Sequence, residues 1–220
     1  MGSCVVGKQY LRLEKDKEPI WDSERARILI RDIRSKLIVV HARKNPNQKP
    51  LRIRSHPFPN KALGYQWIFA HNGTIDCPKP VSHTPKSDVD SEKFFCYFLD
   101  LLEQINDRSQ FEKEEELVLA ALRKSIKKTK IQSALNFILA NKHNLYVARQ
   151  YKANSNYYTL KYLVRSWKSE GGEKLGKRTG EVATIFSSDD ISKERWTPLE
   201  NGQIGIVPVG FPEKLTLRKL

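Results

Sequence analysis

"WIFAHNGTI", residues 67–75, decides the reading of this chain. Apolar and aromatic residues run directly into His71-Asn72-Gly73, where a buried strand is expected to end. Asn-Gly is a strong turn dipeptide, so a turn that merely closes the strand is the plainest interpretation. The neighbouring segments give the triplet a second meaning. "VVHARK" (39–44) and "DVDSEKFF" (88–95) also place polar clusters at a strand end or a helix start, positions from which a scaffold presents side chains to a pocket.

Working outward, residues 21–36 place Ala26, Leu29, Ile30 and Ile33 at helical spacing behind an Asp-Ser start, and predict a helix. Leu37 to Val40 is short, continuously apolar and mostly β-branched, which predicts a buried strand. Residues 44–63, rich in Pro, Asn and Lys, predict a loop. From Ser87, Phe94, Phe95, Phe98, Leu101, Leu102 and Ile105 recur at helical spacing behind Asp88, Asp90 and Glu92, acids that the helix dipole favours in a first turn. A second helix is expected from Glu112 to about Ile126. Strands then fit the segments around Asn141-Lys142-His143-Asn144, "YYTLKYLVRS", "GEVATIFSS" and "GQIGIVPVG". Strands, two consecutive helices and more strands favour an α+β layered domain, taken as a single domain over 1–220.

The chain has 220 residues, 39 Lys+Arg against 25 Asp+Glu, and a formal charge of +14. That charge makes nucleic acid, anionic surfaces or an acidic partner electrostatically plausible. The densest basic run, Arg123 to Lys130, follows a helical pattern and reads as a solvated helix end. Without an RNP-like motif, zinc finger or recognition helix, nucleic-acid binding is the weakest function class. Cys4, Cys77 and Cys96 are an odd, scattered set that implies no disulfide framework. No paired Cys/His spacing suggests a metal, and no cofactor is expected. With no secretory segment or membrane-length apolar run, a cytoplasmic compartment is expected. Val6 stands where a myristoylation signal requires Ser or Thr.

Taken in order, "HARK", "SHPF", "WIFAHNGTI", "DVDSE", "LNFILAN" with "LYVAR", and a terminal "VATIFSSD…W…LENGQIGIV" hairpin resemble the glutaminase domain of class II glutamine amidotransferases, in the compact stand-alone form, over about residues 8–210. The resemblance implies an N-terminal nucleophile hydrolase-like four-layer αββα sandwich. It further implies a glutamine or γ-glutamyl substrate whose side-chain amide is hydrolysed by a cysteine thiol. Asn72 and Gly73 match the family's oxyanion donors, a side-chain amide and a backbone N–H. Arg43 matches the Arg that grips the substrate's α-carboxylate, a task suited to a planar guanidinium. Asp90 matches the acceptor for the α-ammonium; an ordinary first-turn acid is its alternative reading. His41, His56 and His71 are family-pattern residues with an expected structural role.

The pattern breaks at the nucleophile. In the family it is an N-terminal Cys whose own α-amine is the base, whereas this sequence begins Met1-Gly2-Ser3-Cys4. The Gly-rich segment that the family places before "HxR" is missing, so the sandwich is expected to be N-terminally truncated. Cys4 is then a weak candidate for the nucleophile, Cys96 reads as a small hydrophobe, and Cys77 has no stated role. A missing first strand would leave unpaired backbone and an exposed apolar layer, which predicts a protein partner or self-association. A catalytically inactive binding or assembly subunit on the same fold is the competing expectation.

Overall fold

A computed structural model describes residues 2–6 (backbone only), 11–16, 20, 22–42, 52–108, 111–166 and 181–220. The elements are β1 (Gly2–Val6), β2 (Leu11–Lys15), α1 (Glu24–Asp32), β3 (Leu37–His41), a 3-10 turn (Arg52–Arg54), β4 (Phe58–Ala62), β5 (Tyr65–Asp76), α2 (Asp90–Asn106), α3 (Glu114–Lys127), β6 (Lys130–Ala140), β7 (Asn144–Arg149), β8 (Lys161–Ser166), β9 (Val182–Ser187), β10 (Thr197–Pro198), β11 (Gln203–Pro208) and β12 (Thr216–Lys219).

The central layer is a six-stranded sheet in the order β12-β11-β7-β6-β5-β4, with antiparallel neighbours throughout. Alternation along β5 sends Trp67, Phe69 and Ile75 to one face, where they join Phe94, Phe95, Phe98, Leu99 and Leu102 of α2 and Leu117, Val118 and Leu122 of α3 in the main core. The opposite face carries two three-stranded sheets, β2-β1-β3 and β10-β8-β9. Leu37 and Val39 of β3 pack on Ile68 and Ala140, while Leu160 and Leu199 pack on Val147. Ile138 and Leu145 touch both clusters, so the two small sheets lie side by side in one layer.

Leu11 and Leu13 of β2 face that interior, which turns Glu14 to the outside. There the carboxylate of Glu14 meets the guanidinium of Arg25 on α1. Helix α1 therefore lies outside the second sheet layer and completes an αββα order. Its start is built by Ser23, whose hydroxyl accepts the Ala26 N–H at 3.0 Å and donates to Asp16 at 2.5 Å. Among the described residues no helix is long and apolar enough to cross a membrane.

Several sequence expectations change. Strand β5 does not end at Asn72-Gly73. It runs to Asp76 because β6 continues beside it, pairing Asn72 with Asn136, Gly73 with Leu135 and Asp76 with Lys130, with a register shift between Gly73 and Ile75. Part of the expected loop 44–63 is β4, whose Pro59 hid it; β4 is an edge strand, where a missing N–H is tolerated. The terminal hairpin is not formed, since β9 pairs with β8 and β11 pairs with β7 and β12. Strands β1, β2 and β12 also escaped the periodicity reading.

Candidate active site

A cleft of about 1060 Å³ lies between the six-stranded sheet and the two small sheets. Its polar end gathers His41, His56, His71, Asn72, Gly73 and Asp90, residues from β3, β5, the segment before β4 and the first turn of α2. Arg43, the expected carboxylate ligand, lies outside the described residues. Cys4 is described by backbone alone. It sits in the middle of β1, opposite Val39 on one side and Leu13 on the other.

Gly73 is the sharpest local feature. Its φ of +140° is one that side chains rarely adopt, and a Cβ there would stand 1.9 Å from the Ala134 carbonyl oxygen. Only glycine lets β5 approach β6 this closely while the register shifts. The adjoining N–H groups are held by partners outside the sheet ladder. Thr74 N–H donates to Ser133 Oγ at 2.9 Å, and Ile75 N–H donates to Asp90 Oδ2 at 3.1 Å. Asn72, one residue before, is exposed on the cleft side.

Asp90 opens α2 and is partly buried. Besides Ile75, its carboxylate accepts the Ser91 N–H at 2.7 Å and lies 3.2 Å from the Ser91 hydroxyl. A carboxylate offers about four acceptor sites, so capacity for a ligand donor remains. The same residue therefore locks the bulge to the helix and faces the cleft.

His71 braces this corner from below. Its Nε2 lies 3.1 Å from the Ala134 carbonyl, which can only accept, so Nε2 carries the proton. Nδ1 is then the acceptor for the Ser91 hydroxyl at 2.8 Å. The ring stacks at 21° on Phe69, inside the core. His56 is buried, with its ring 4.4 Å from His41 and 4.7 Å from Phe58. Lys15 holds the same loop by donating to the Ser55 carbonyl at 2.5 Å, and its ammonium lies 5.3 Å from the centre of the Phe58 ring. Burial lowers the Lys15 pKa, partly offset by Glu92 and reinforced by Lys86.

The remaining thiols are poorly activated. Burial pushes Cys77 up to about 11, with Asp76 and Asp90 adding to the rise. Burial pushes Cys96 up to about 12, with Glu92 adding to it. Both are protonated at neutral pH, and a protonated thiol is a weak nucleophile. Among the described residues no group of three or more His, Cys, Asp or Glu is placed to hold a metal ion.

The sequence reading missed Ser91, Ser133 and Asn136. Asn136 is buried opposite Asn72, where its Oδ1 accepts the Gln150 N–H at 3.0 Å and its amide donates to the Tyr158 carbonyl at 3.2 Å. The available signal was a lone polar residue inside the apolar run "ALNFILA".

The layering and connectivity define the N-terminal nucleophile hydrolase type of fold. A glutamine aminotransferase class-II domain protein of Silicibacter pomeroyi is similar over 100% of this chain and 90% of that one, with a TM-score of 0.63 at 18% identity. The glutamine phosphoribosylpyrophosphate amidotransferase of B. subtilis is similar over 99% of this chain and 42% of that one, with a TM-score of 0.61 at 12% identity. Residues 4–170 match the family model for class-II glutamine amidotransferases, and the chain belongs to that family. A Haemophilus influenzae protein provisionally named a glutamine amidotransferase is 26% identical over 185 residues, 78% of this chain. The chain spans 60% of that relative's length.

Proposed function

We propose that the polar end of the cleft binds glutamine or a γ-glutamyl compound and, given a correctly placed cysteine, hydrolyses its side-chain amide. The observation that carries this reading is the Asn72-Gly73 pair at the start of the β5 register shift, where Ser133 and Asp90 hold the next two N–H groups, Gly73 lies close against the Ala134 carbonyl, and the Asp90 carboxylate stands beside it. Asp90 accepts hydrogen bonds from the substrate ammonium, and Arg43 pairs with its carboxylate. The thiolate attacks the amide carbonyl carbon, and the oxyanion takes hydrogen bonds from the Asn72 side chain and the Gly73 N–H. The proton removed from the thiol returns to the amide nitrogen, ammonia leaves, and the resulting thioester is hydrolysed by water to glutamate and the free thiol. Fixed donors of this kind supply about 3–4 kcal/mol of transition-state stabilisation each.

The thiol is the open element of the mechanism. Cys77 and Cys96 are disfavoured by their raised pKa values, which leaves Cys4 or a cysteine contributed from elsewhere. Ammonia and glutamate release from glutamine tests the reading in the wild-type chain and in Cys4→Ser. Thiol-dependent turnover lost in Cys4→Ser assigns the nucleophile. Glutamine binding without turnover favours a binding subunit on this fold. Absence of both binding and turnover contradicts the proposal.

A further inference from the structure

Ser91 stands between two acceptors and has one hydrogen to give. Its Oγ lies 2.8 Å from His71 Nδ1 and 3.2 Å from Asp90 Oδ1. Ser91 and His71 are 2% and 4% exposed, so bulk water does not stand in for either bond. His71 Nε2 faces the Ala134 carbonyl at 3.1 Å and keeps its proton whether the ring is neutral or charged. The charge of the ring is therefore decided at Nδ1, the nitrogen that faces Ser91.

With the ring neutral, Nδ1 is an acceptor, and the shorter of the two contacts takes the hydroxyl hydrogen. Asp90 Oδ1 then receives the Ser91 N–H at 2.7 Å, Oδ2 receives the Ile75 N–H at 3.1 Å, and each oxygen keeps an acceptor position. With Nδ1 protonated, the ring becomes a donor to Ser91 Oγ. The hydroxyl hydrogen can no longer point at the ring, and Asp90 Oδ1 is the acceptor within its reach. One proton gained by the ring thus fills one acceptor position on the carboxylate and sets a positive charge behind it.

We infer that His71 and Ser91 are positioning residues for the ammonium group of the ligand: the neutral ring holds the Ser91 hydroxyl away from Asp90 and leaves the carboxylate open, whereas the protonated ring hands that hydroxyl to it. This rests on the proposed binding of glutamine or a γ-glutamyl compound at Asp90. Ligand affinity then falls as the ring takes up its proton, and by linkage a bound ammonium makes the ring harder to protonate. The other ionisable groups about this corner are Glu92 and Lys93 of α2, Asp76 and Cys77 at the end of β5, His41 of β3, Lys15 of β2 and His56 before β4. Between Ala134 and Phe137, β6 adds none. Glu92 is already engaged by the Ser87 N–H and hydroxyl. His41 and His56 titrate by the same chemistry as His71, so the test must isolate Ser91.

Calorimetric titration of glutamine at about pH 7.5 and about pH 5, a range in which imidazoles titrate and ordinary carboxylates do not, is made on the wild-type chain, Ser91→Ala and Ser91→Thr. Wild-type affinity should fall at least about fivefold at the lower pH. Ser91→Ala should hold the change below about twofold, because the hydroxyl is gone and a buried Nδ1–H would lack an acceptor. Ser91→Thr restores the hydroxyl and should restore the dependence. A serine with a merely structural role would alter affinity equally at both pH values. Nuclear magnetic resonance of the ring nitrogens supplies a readout that needs no variant: saturating glutamine should lower the pH at which His71 titrates by at least about half a unit. Wild-type affinity that ignores pH, or a His71 titration that glutamine does not move, overturns the inference and leaves the proposed function standing. A dependence that survives in Ser91→Ala does the same and assigns it to His41 or His56. Absence of glutamine binding at both pH values removes the proposed function and this inference with it.

Discussion

Phe69 and Ala70 are neighbours on β5 that face different worlds. Phe69 is buried among Phe94, Phe95 and Phe137, with ring centroids 5.4 to 5.7 Å away. Ala70 turns to the other face and lines the cleft beside His71, Asn72 and two divided sheets. The helix-covered face is continuous, apolar and closed by α2 and α3. The cleft face is interrupted, rimmed with exposed apolar residues, and holds the polar corner. The packed core is concentrated on one side of a single sheet, and the other side carries the cleft and its polar residues.

The largest expected effect breaks the stable side. Phe69→Ala should cost about 3–5 kcal/mol in urea unfolding, because it removes a ring from a packed aromatic cluster and leaves a cavity. Gly73→Ala lies at the boundary of the two faces. Its Cβ would collide with the Ala134 carbonyl, so the bulge must shift, at a cost of about 1–3 kcal/mol, and glutamine binding should be lost with it.

Asp100 sharpens the comparison by pH. Burial alone would raise its carboxyl, but the N–H groups of Val81, Ser82 and His83 and the His83 ring outweigh that and hold it below the ordinary 3.8. A depressed carboxyl contributes stability that is complete above its unfolded value and disappears as pH falls through the folded value. Asp100→Asn should therefore cost about 1–2 kcal/mol at pH 7, with the gap to wild type closing below about pH 4 in thermal melts. The smallest effect is on the cleft rim, where Tyr157→Ala should change stability by less than about 0.5 kcal/mol.

The stable side was the more legible in the sequence. Phe94, Phe95, Phe98, Leu101 and Leu102 announce α2 by spacing alone, and β6, β7 and β11 are equally plain, whereas the short edge strand β12 is not. The cleft side was read mainly through motif order. Strand β4 was masked by Pro59 and β1 by the absence of alternation in "GSCVV", and the two-sided pairing of β1 is a long-range fact that no local pattern contains. The triplet His71-Asn72-Gly73 was recognised, but as a strand end. Its bulge depends on Ala134 and Ser133, some sixty residues away. Serines 91 and 133 left no signal because their roles exist only once α2 and β6 meet β5.

Calorimetric titration of glutamine into the 220-residue chain, beside Asn72→Ala and Asp90→Asn, tests the central claim most directly. Saturable binding in the wild type that is lost in Asp90→Asn and preserved in Asn72→Ala, with all three folded, is the predicted result, because Asp90 holds the ground-state ammonium while Asn72 serves the oxyanion formed later. Wild-type binding that Asp90→Asn leaves unchanged, or no binding at all, would contradict it.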